Sequence, residues 1–374
     1  MREHPMIPVY KPYSDDKEPK YLKEVIDSGI WSLGPKTAEF ESRFAAFVGT
    51  TYALGLNSVA AALELALRCL DLQGGEVILP SLSFVAVSHA VLHSGGTPVF
   101  CDIEPENLNI TAENIAALVT PRTRAVIVSH YAGYAADLDP IMELAQKHNL
   151  VVIEDCSQAC GGKYREKMLG SIGHMACFSF QVSSNLTTGE GGMLVTNNEQ
   201  WAAQVKKLRY LGIAGDITER GTGSSLDWQY EGSGTGYKIH MHDISAALGM
   251  AQLEKIDWMN ARRRNITEQY KEAFSTVPQL KWLPIRDYMF PACCLFVIRT
   301  KRRDELRAHL HVNGIASALH YYPSHLYPMY KQYSRPLPVT ESVWQELLTL
   351  PLYAGMTEDQ FRSIVRSVWG FYKV

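Results

Sequence analysis

The first half of the chain carries short apolar runs that do not alternate with polar positions. They are Glu76-Val-Ile-Leu-Pro80, Pro98-Val-Phe-Cys-Asp102, Ala125-Val-Ile-Val-Ser129, Val151-Val-Ile-Glu-Asp155, Ala176-Cys-Phe-Ser-Phe180 and Met193-Leu-Val-Thr196. Short runs rich in Val, Ile and Phe read as strands buried on both faces of a parallel sheet. Between them lie helical patterns: Ser58–Leu70 is rich in Ala and Leu, and Asp139–His148 carries Ile141, Met142, Leu144 and Ala145. This alternation predicts a doubly wound α/β domain. In such sheets ligands bind beyond the carboxyl ends of the strands. The polar residues that close the runs, Asp102, His130 and Asp155, are therefore site candidates before any motif is considered.

In the second half, a helical pattern covers Asp243–Tyr270 and predicts a boundary near residue 257. Beyond it, Leu295–Arg299 reads as a strand, and Arg302–Asn313, Thr340–Leu348 and Thr357–Tyr372 read as helices. The expectation is a large α/β domain over 1–257, with the N-terminal segment, and a smaller α+β domain over 258–374. The Gly/Ser/Thr stretch Gly221–Gly236 predicts a mobile loop.

Composition narrows the function class. The chain has 374 residues, 36 basic and 39 acidic groups and a formal net charge of −3, so it has no electrostatic footprint for nucleic acid or an anionic membrane. No apolar run reaches the roughly 18 residues of a membrane span, and the N-terminus lacks the apolar core of a secretory signal. The seven cysteines are scattered and odd in number, which reads as buried free thiols in a reducing cytoplasm.

Three segments carry candidate chemistry. In Val152-Ile-Glu-Asp-Cys-Ser-Gln158, Asp155 closes a buried strand. An acid so placed either caps the next turn or holds a heteroaromatic nitrogen protonated, as an Asp does for the ring of pyridoxal phosphate (PLP). Cys177–Thr196 runs from a strand through a polar and then a Gly-rich turn into another strand. Ser179, Ser183 and Thr187 offer hydroxyls there, and Gly189, Gly191 and Gly192 allow close backbone approach to a phosphate. A plain glycine-rich hairpin reads the same way. At Leu56-Asn-Ser-Val-Ala60, Asn57 or Ser58 is an N-cap, and a helix N-terminus is also an anion site.

Taken together, these motifs resemble the DegT/DnrJ-type sugar aminotransferases, PLP enzymes of fold type I. The resemblance runs almost end to end. It includes Ile7–Pro12, Ser28–Lys36, Phe40-Glu41, Pro80–Ala86, Val152–Gln158, Phe178–Met193, Gly236–Gly249, His320–His325 and Leu350–Leu352. It implies a large domain with a mostly parallel seven-stranded sheet flanked by helices, plus a small C-terminal domain. It implies Asp155 as the pyridinium partner, Gln158 beside the ring hydroxyl, Phe84 stacked on the ring and Ser179 on the phosphate. Asn57, Ser58 and Asn185 complete the implied cofactor set. Lys238 stands where a neighbouring subunit reaches the phosphate, which implies a homodimer with shared sites. His320 and His325 resemble residues of the sugar pocket, although each also reads as an ordinary loop histidine. The implied substrate is a nucleotide-linked keto sugar, with glutamate as the usual amino donor.

Two departures bear on the chemistry. Ser184 occupies the position of the family's Schiff-base lysine, and no lysine occurs between Lys167 and Lys206 to replace it. A serine forms no imine and is a weak base, and proton shuttling of that kind contributes about 10²–10⁴-fold. Val59-Ala60 stands where relatives carry Gly-Thr against the phosphate, and Cys160 where they often carry His. Three readings follow. One is a lysine-less enzyme that holds PLP or pyridoxamine phosphate (PMP) non-covalently, as a related sugar 3-dehydratase with histidine at the lysine position does. His320, His325, Tyr321 and Lys238 are its candidate proton carriers. Another is an inactive relative, a dimer partner or regulator of an active paralogue. The last is a cofactor-independent enzyme reusing the pocket. A substituted lysine in an otherwise ordinary aminotransferase would leave the same sequence.

Overall fold

Strands without a polar face are satisfied only between two layers that bury both sides. The structure, a computed structural model, describes residues 6–213 and 234–373. In chain order the strands are β1 (Tyr52–Leu56), β2 (Glu76–Pro80), β3 (Thr97–Cys101), β4 (Thr123–Ser129), β5 (Val151–Asp155), β6 (Lys163–Tyr164), β7 (Lys167–Met168), β8 (Met175–Ser179), β9 (Gly192–Thr196), β10 (Lys281–Trp282), β11 (Met289–Phe290), β12 (Phe296–Arg299) and β13 (Leu347–Leu350). Seven form the large sheet, in the order β1-β9-β8-β5-β4-β2-β3. Its pairs are parallel except those of β9, which runs against both β8 and β1. This is the α/β architecture expected for the chain.

Alternate side chains of one strand enter opposite layers. Val126 and Val128 of β4 join the apolar cluster on one face, and Ala125 and Ile127 join the cluster on the other. The small sheet, β10-β12-β13, is antiparallel and lies wholly beyond residue 257. The N-terminal segment ties to this later part of the chain: Ile7 pairs with Ile315, and Leu352 N–H donates to Val9 O at 3.0 Å.

Three expectations change. The pattern over Asp243–Tyr270 is two helices, Asp243–Leu253 and Ile256–Phe274. The break turns Lys255 inward, where its buried ammonium meets Asp15 at 2.6 Å and Glu18 at 2.8 Å. Within Thr340–Leu348 the α-helix Pro338–Val343 gives way to a 3₁₀ turn over Trp344–Glu346, and Leu347–Leu350 becomes β13 because its apolar residues pair with β12. β1 adds an unexpected strand. Its Gly55 is needed for packing, since a Cβ there would lie 3.0 Å from Met241 Cβ. The predicted mobile loop Gly221–Gly236 lies, up to residue 233, outside the described residues. No helix among the described residues is long and apolar enough to cross a membrane. All seven cysteines are free.

Candidate active site

The carboxyl ends of β4, β5 and β8 and the start of the helix Val59–Arg68 surround a cavity of about 330 Å³. Ser58, Phe84, Asp155, Gln158, Ser179, Ser184 and His320 all line it, brought together from distant parts of the chain. Asn57, Asn185, Lys238 and His325 do not. Asn57 flanks the cap and is bound to Ile239 O through its N–H at 2.8 Å. Asn185 is buried behind the wall, donating to Asn260 Oδ1 at 2.8 Å and Ala292 O at 3.0 Å. Lys238 sits on the segment that bridges to Tyr210. His325 is buried with Nδ1 at 2.5 Å from Ser81 Oγ, which ties the Ser324–Leu326 turn to the end of β2.

Asp155 is held at the end of β5 by three donors. Ser129 Oγ donates to Oδ2 at 2.9 Å, and the N–H and hydroxyl of Ser157 donate to Oδ1, the former at 3.1 Å. These contacts fix the carboxylate without matching it with a cation. Gln158 has one possible amide orientation: Oε1 accepts Ala132 N–H at 2.7 Å, so Nε2 faces Tyr321 Oη at 2.6 Å. Phe84 stands at the wall with 57% of its surface exposed, and its ring lies 5.7 Å from that of Tyr321. An aromatic ring left so open is a stacking surface.

Ser58 is an N-cap, its hydroxyl accepting Ala61 N–H at 3.2 Å. The amides of Val59 and Ala60 have no partner among the described residues, so the helix start presents two free donors and its dipole to the cavity. Gly192 makes this possible: a Cβ there would lie 2.3 Å from Ser58 C and 2.6 Å from Val59 N. Ser179 lines the same side, and its hydroxyl accepts Gln181 N–H at 3.3 Å. Val59 therefore does not close the helix start, and the loss at Ala60 is confined to a side-chain hydroxyl.

His320 reaches the cavity from the side of the small sheet. Its Nδ1 lies 2.8 Å from Thr349 Oγ1, and burial pushes its pKa down to about 4. Burial, with Cys294, Tyr131 and Asp155 nearby, holds the Tyr321 hydroxyl well above its usual pKa. His130, Glu154 and Cys156 also cluster, in a way that would suit a metal ion. The imidazole and the carboxylate are occupied, however. His130 Nδ1 accepts Ala136 N–H, its Nε2 faces Glu154, and Glu154 also accepts the amides of Gly170, Ile172 and Gly173. Burial would raise the Glu154 pKa, but these donors outweigh it and lower it. The cluster is a clamp under Asp155.

Ser184 is nearly buried on the turn after β8, its N–H bound to Gln181 O at 2.9 Å. The cavity thus gathers an acid, an amide, an exposed aromatic face and the free amides of a helix start, with Ser184 on its wall. A sequence model of the DegT/DnrJ/EryC1/StrS aminotransferase family matches residues 12–369. The chain belongs to this family. It is 37% identical to the spore coat polysaccharide biosynthesis protein SpsC of Bacillus subtilis, over 98% of this chain and 97% of that one. The aminotransferase TlmJ of Streptoalloteichus hindustanus superposes with a TM-score of 0.92 at 31% identity, covering 98% and 99% of the two chains. Spr1654 of Streptococcus pneumoniae has been solved in a PLP form and a PMP form. The PLP form superposes at 0.90 with 27% identity over 97% of each chain.

Within this aminotransferase frame, sequence reasoning missed Tyr10, Ser129, Ser157 and Glu190, which also line the cavity. Ser129 and Ser157 were within reach, since both sit at strand ends beside Asp155. Tyr10 had no signal: it enters from an N-terminal segment placed by long-range contacts, among them pairing with residues near 315 and 352 and a bond from Gln252 to Tyr13 O.

Proposed function

We propose that the chain binds PLP or PMP without a covalent bond and acts on a nucleotide-linked keto sugar or a related amino-sugar intermediate in the cytoplasm. The observation that carries this reading is the cavity itself. Asp155, Gln158 and Phe84, the ring-facing groups that the family resemblance implies, all line it, and so does Ser184. Its volume falls within the range of small-molecule sites.

The residues present suit the cofactor. Asp155, steadied by Ser129 and Ser157, would hold the ring nitrogen protonated. Gln158 would face the ring hydroxyl, Phe84 would cover the ring, and Ser179 with the amides of Val59 and Ala60 would receive the phosphate. When bound, the cofactor supplies an electron sink for negative charge on the carbon beside the amine. The chain's part is to orient the ring, exclude water and move a proton. Lys238 lies outside the cavity of its own subunit, which supports a homodimer in which it serves the partner's phosphate.

A non-catalytic partner of an active paralogue is the second reading, favoured by the joint presence of Ser184 and Val59-Ala60. The test is titration of purified protein with PMP and PLP, followed by absorbance and equilibrium dialysis. Tight stoichiometric binding that borohydride cannot make covalent is expected. Absence of binding at millimolar cofactor would overturn the first reading and leave the second.

A further inference from the structure

Without a lysine, the proton that must travel between the amine-bearing carbon and the cofactor needs another carrier. Two neighbouring side chains in the cavity wall differ in what they can do with one. His320 is tethered through Nδ1 to Thr349 Oγ1 at 2.8 Å, and Thr349 is itself fixed by paired backbone bonds to Ala318 at 2.8 and 3.1 Å. Its other ring nitrogen, Nε2, has no partner among the described residues. Tyr321 accepts from Gln158 Nε2 at 2.6 Å, so its own hydroxyl proton is also uncommitted. The two rings meet edge to face, 4.9 Å between centroids.

We propose that His320 Nε2 is the proton carrier of this lysine-less site, with the Tyr321 hydroxyl as its hydrogen-bond-donating companion. The assignment rests on the proposed binding of PLP or PMP. Burial keeps the imidazole neutral and the phenol protonated near pH 7, so acceptor and donor coexist in one wall. With L-glutamate as donor, the bookkeeping of atoms closes. His320 takes the proton from the amine-bearing carbon, which is oxidised to a ketone. It returns that proton to the aldehyde carbon of PLP, which is reduced to the aminomethyl carbon of PMP. The nitrogen passes one way and the carbonyl oxygen the other, with no external oxidant.

The experiment uses wild type, H320Q, S184K and S184K/H320Q, each loaded with PLP and mixed with excess L-glutamate. Conversion of PLP to PMP is followed by absorbance in a single turnover. Loss of His320 is expected to slow wild type by about 10²–10⁴-fold. In the S184K background, where the lysine carries the proton, the slowing should be far smaller, so that the two substitutions are strongly non-additive. Equal slowing in both backgrounds, or in neither, overturns the assignment. So does wild type that binds PLP but does not convert it. Wild type that binds no PLP brings down the cofactor reading and the assignment with it.

A second readout needs no turnover. Diethylpyrocarbonate should modify His320 in the free protein, mapped by mass spectrometry, and bound PMP should protect it. An unmodified His320, or one modified equally with PMP bound, is the contrary result.

Discussion

Asp155→Asn separates the cofactor role of this residue from its structural one, because its neighbours allow the change. Oδ1 accepts a backbone amide, Ser157 N–H, which cannot reverse its role, so the oxygen of an asparagine would take that position. Oδ2 faces only Ser129 Oγ at 2.9 Å, and a hydroxyl can turn from donor to acceptor for the new NH₂. The free protein should therefore lose less than about 1 kcal/mol, the scale of one exchanged neutral hydrogen bond. Toward the ring nitrogen the same change converts a charged acceptor into a donor. A hydrogen bond to a charged group contributes about 1.5–3 kcal/mol, which is about a 10- to 150-fold weaker Kd at 1.36 kcal/mol per decade. Equilibrium dialysis with PMP measures the affinity, and urea unfolding of the cofactor-free protein measures the stability. An unchanged Kd would refute the pairing of Asp155 with the ring. A large loss of stability would show that the carboxylate serves the fold instead.

Three further outcomes follow from the same geometry. Glu154→Gln places an NH₂ among four donors and leaves two of them unpaired, at about 1–3 kcal/mol each; chemical denaturation should show a loss of several kcal/mol. Because the folded pKa of Glu154 lies below its ordinary value of 4.5, its contribution is present above that pH and is lost as pH falls through the folded value, a loss absent in the variant. Gly192→Ala drives a methyl group into the backbone of Ser58 and Val59. It should cost about 1–3 kcal/mol of stability and weaken PMP binding by shifting the helix start, measured together by thermal melting and dialysis. His320 titrates near 4 in the fold against 6.5 ordinarily, so its share of stability is full above pH 6.5 and is lost as pH falls toward 4. That share amounts to about 3 kcal/mol, and the drop in unfolding free energy from pH 7 to pH 4 should shrink in H320Q, with a remainder from other histidines that burial also lowers, among them His240, His89 and His174.

Local patterns were most readable where burial is symmetric. The runs ending at Pro80, Ser129 and Asp155 are mostly apolar because both of their faces are covered, and each appears as a strand that closes on its predicted last residue. Tyr52–Leu56 was silent, since Ala and Gly give no strand signal and its partner β9 lies far along the chain. Leu347 and Leu348 read as the end of a helix because a pair of apolar residues fits either period, and only pairing with β12 decides between them. At the site, Ser58 and Gln158 could be identified by motif order. That Asn185 and His325 face away from the cavity could not, because their partners Asn260 and Ser81 lie 75 and 244 residues away in the chain.

The sequence by itself determined the layered α/β class, the resemblance to sugar aminotransferases and the absence of a lysine at position 184. Those properties reside in composition, period and identity, which a linear order preserves. Only the tertiary structure decided that the helix start still offers free amides despite Val59-Ala60, that Gln158 is oriented by Ala132 and Tyr321, and that His320 presents an unbound ring nitrogen to the cavity. Each depends on where a hydrogen bond finds its second partner, and distance through space sets that partner.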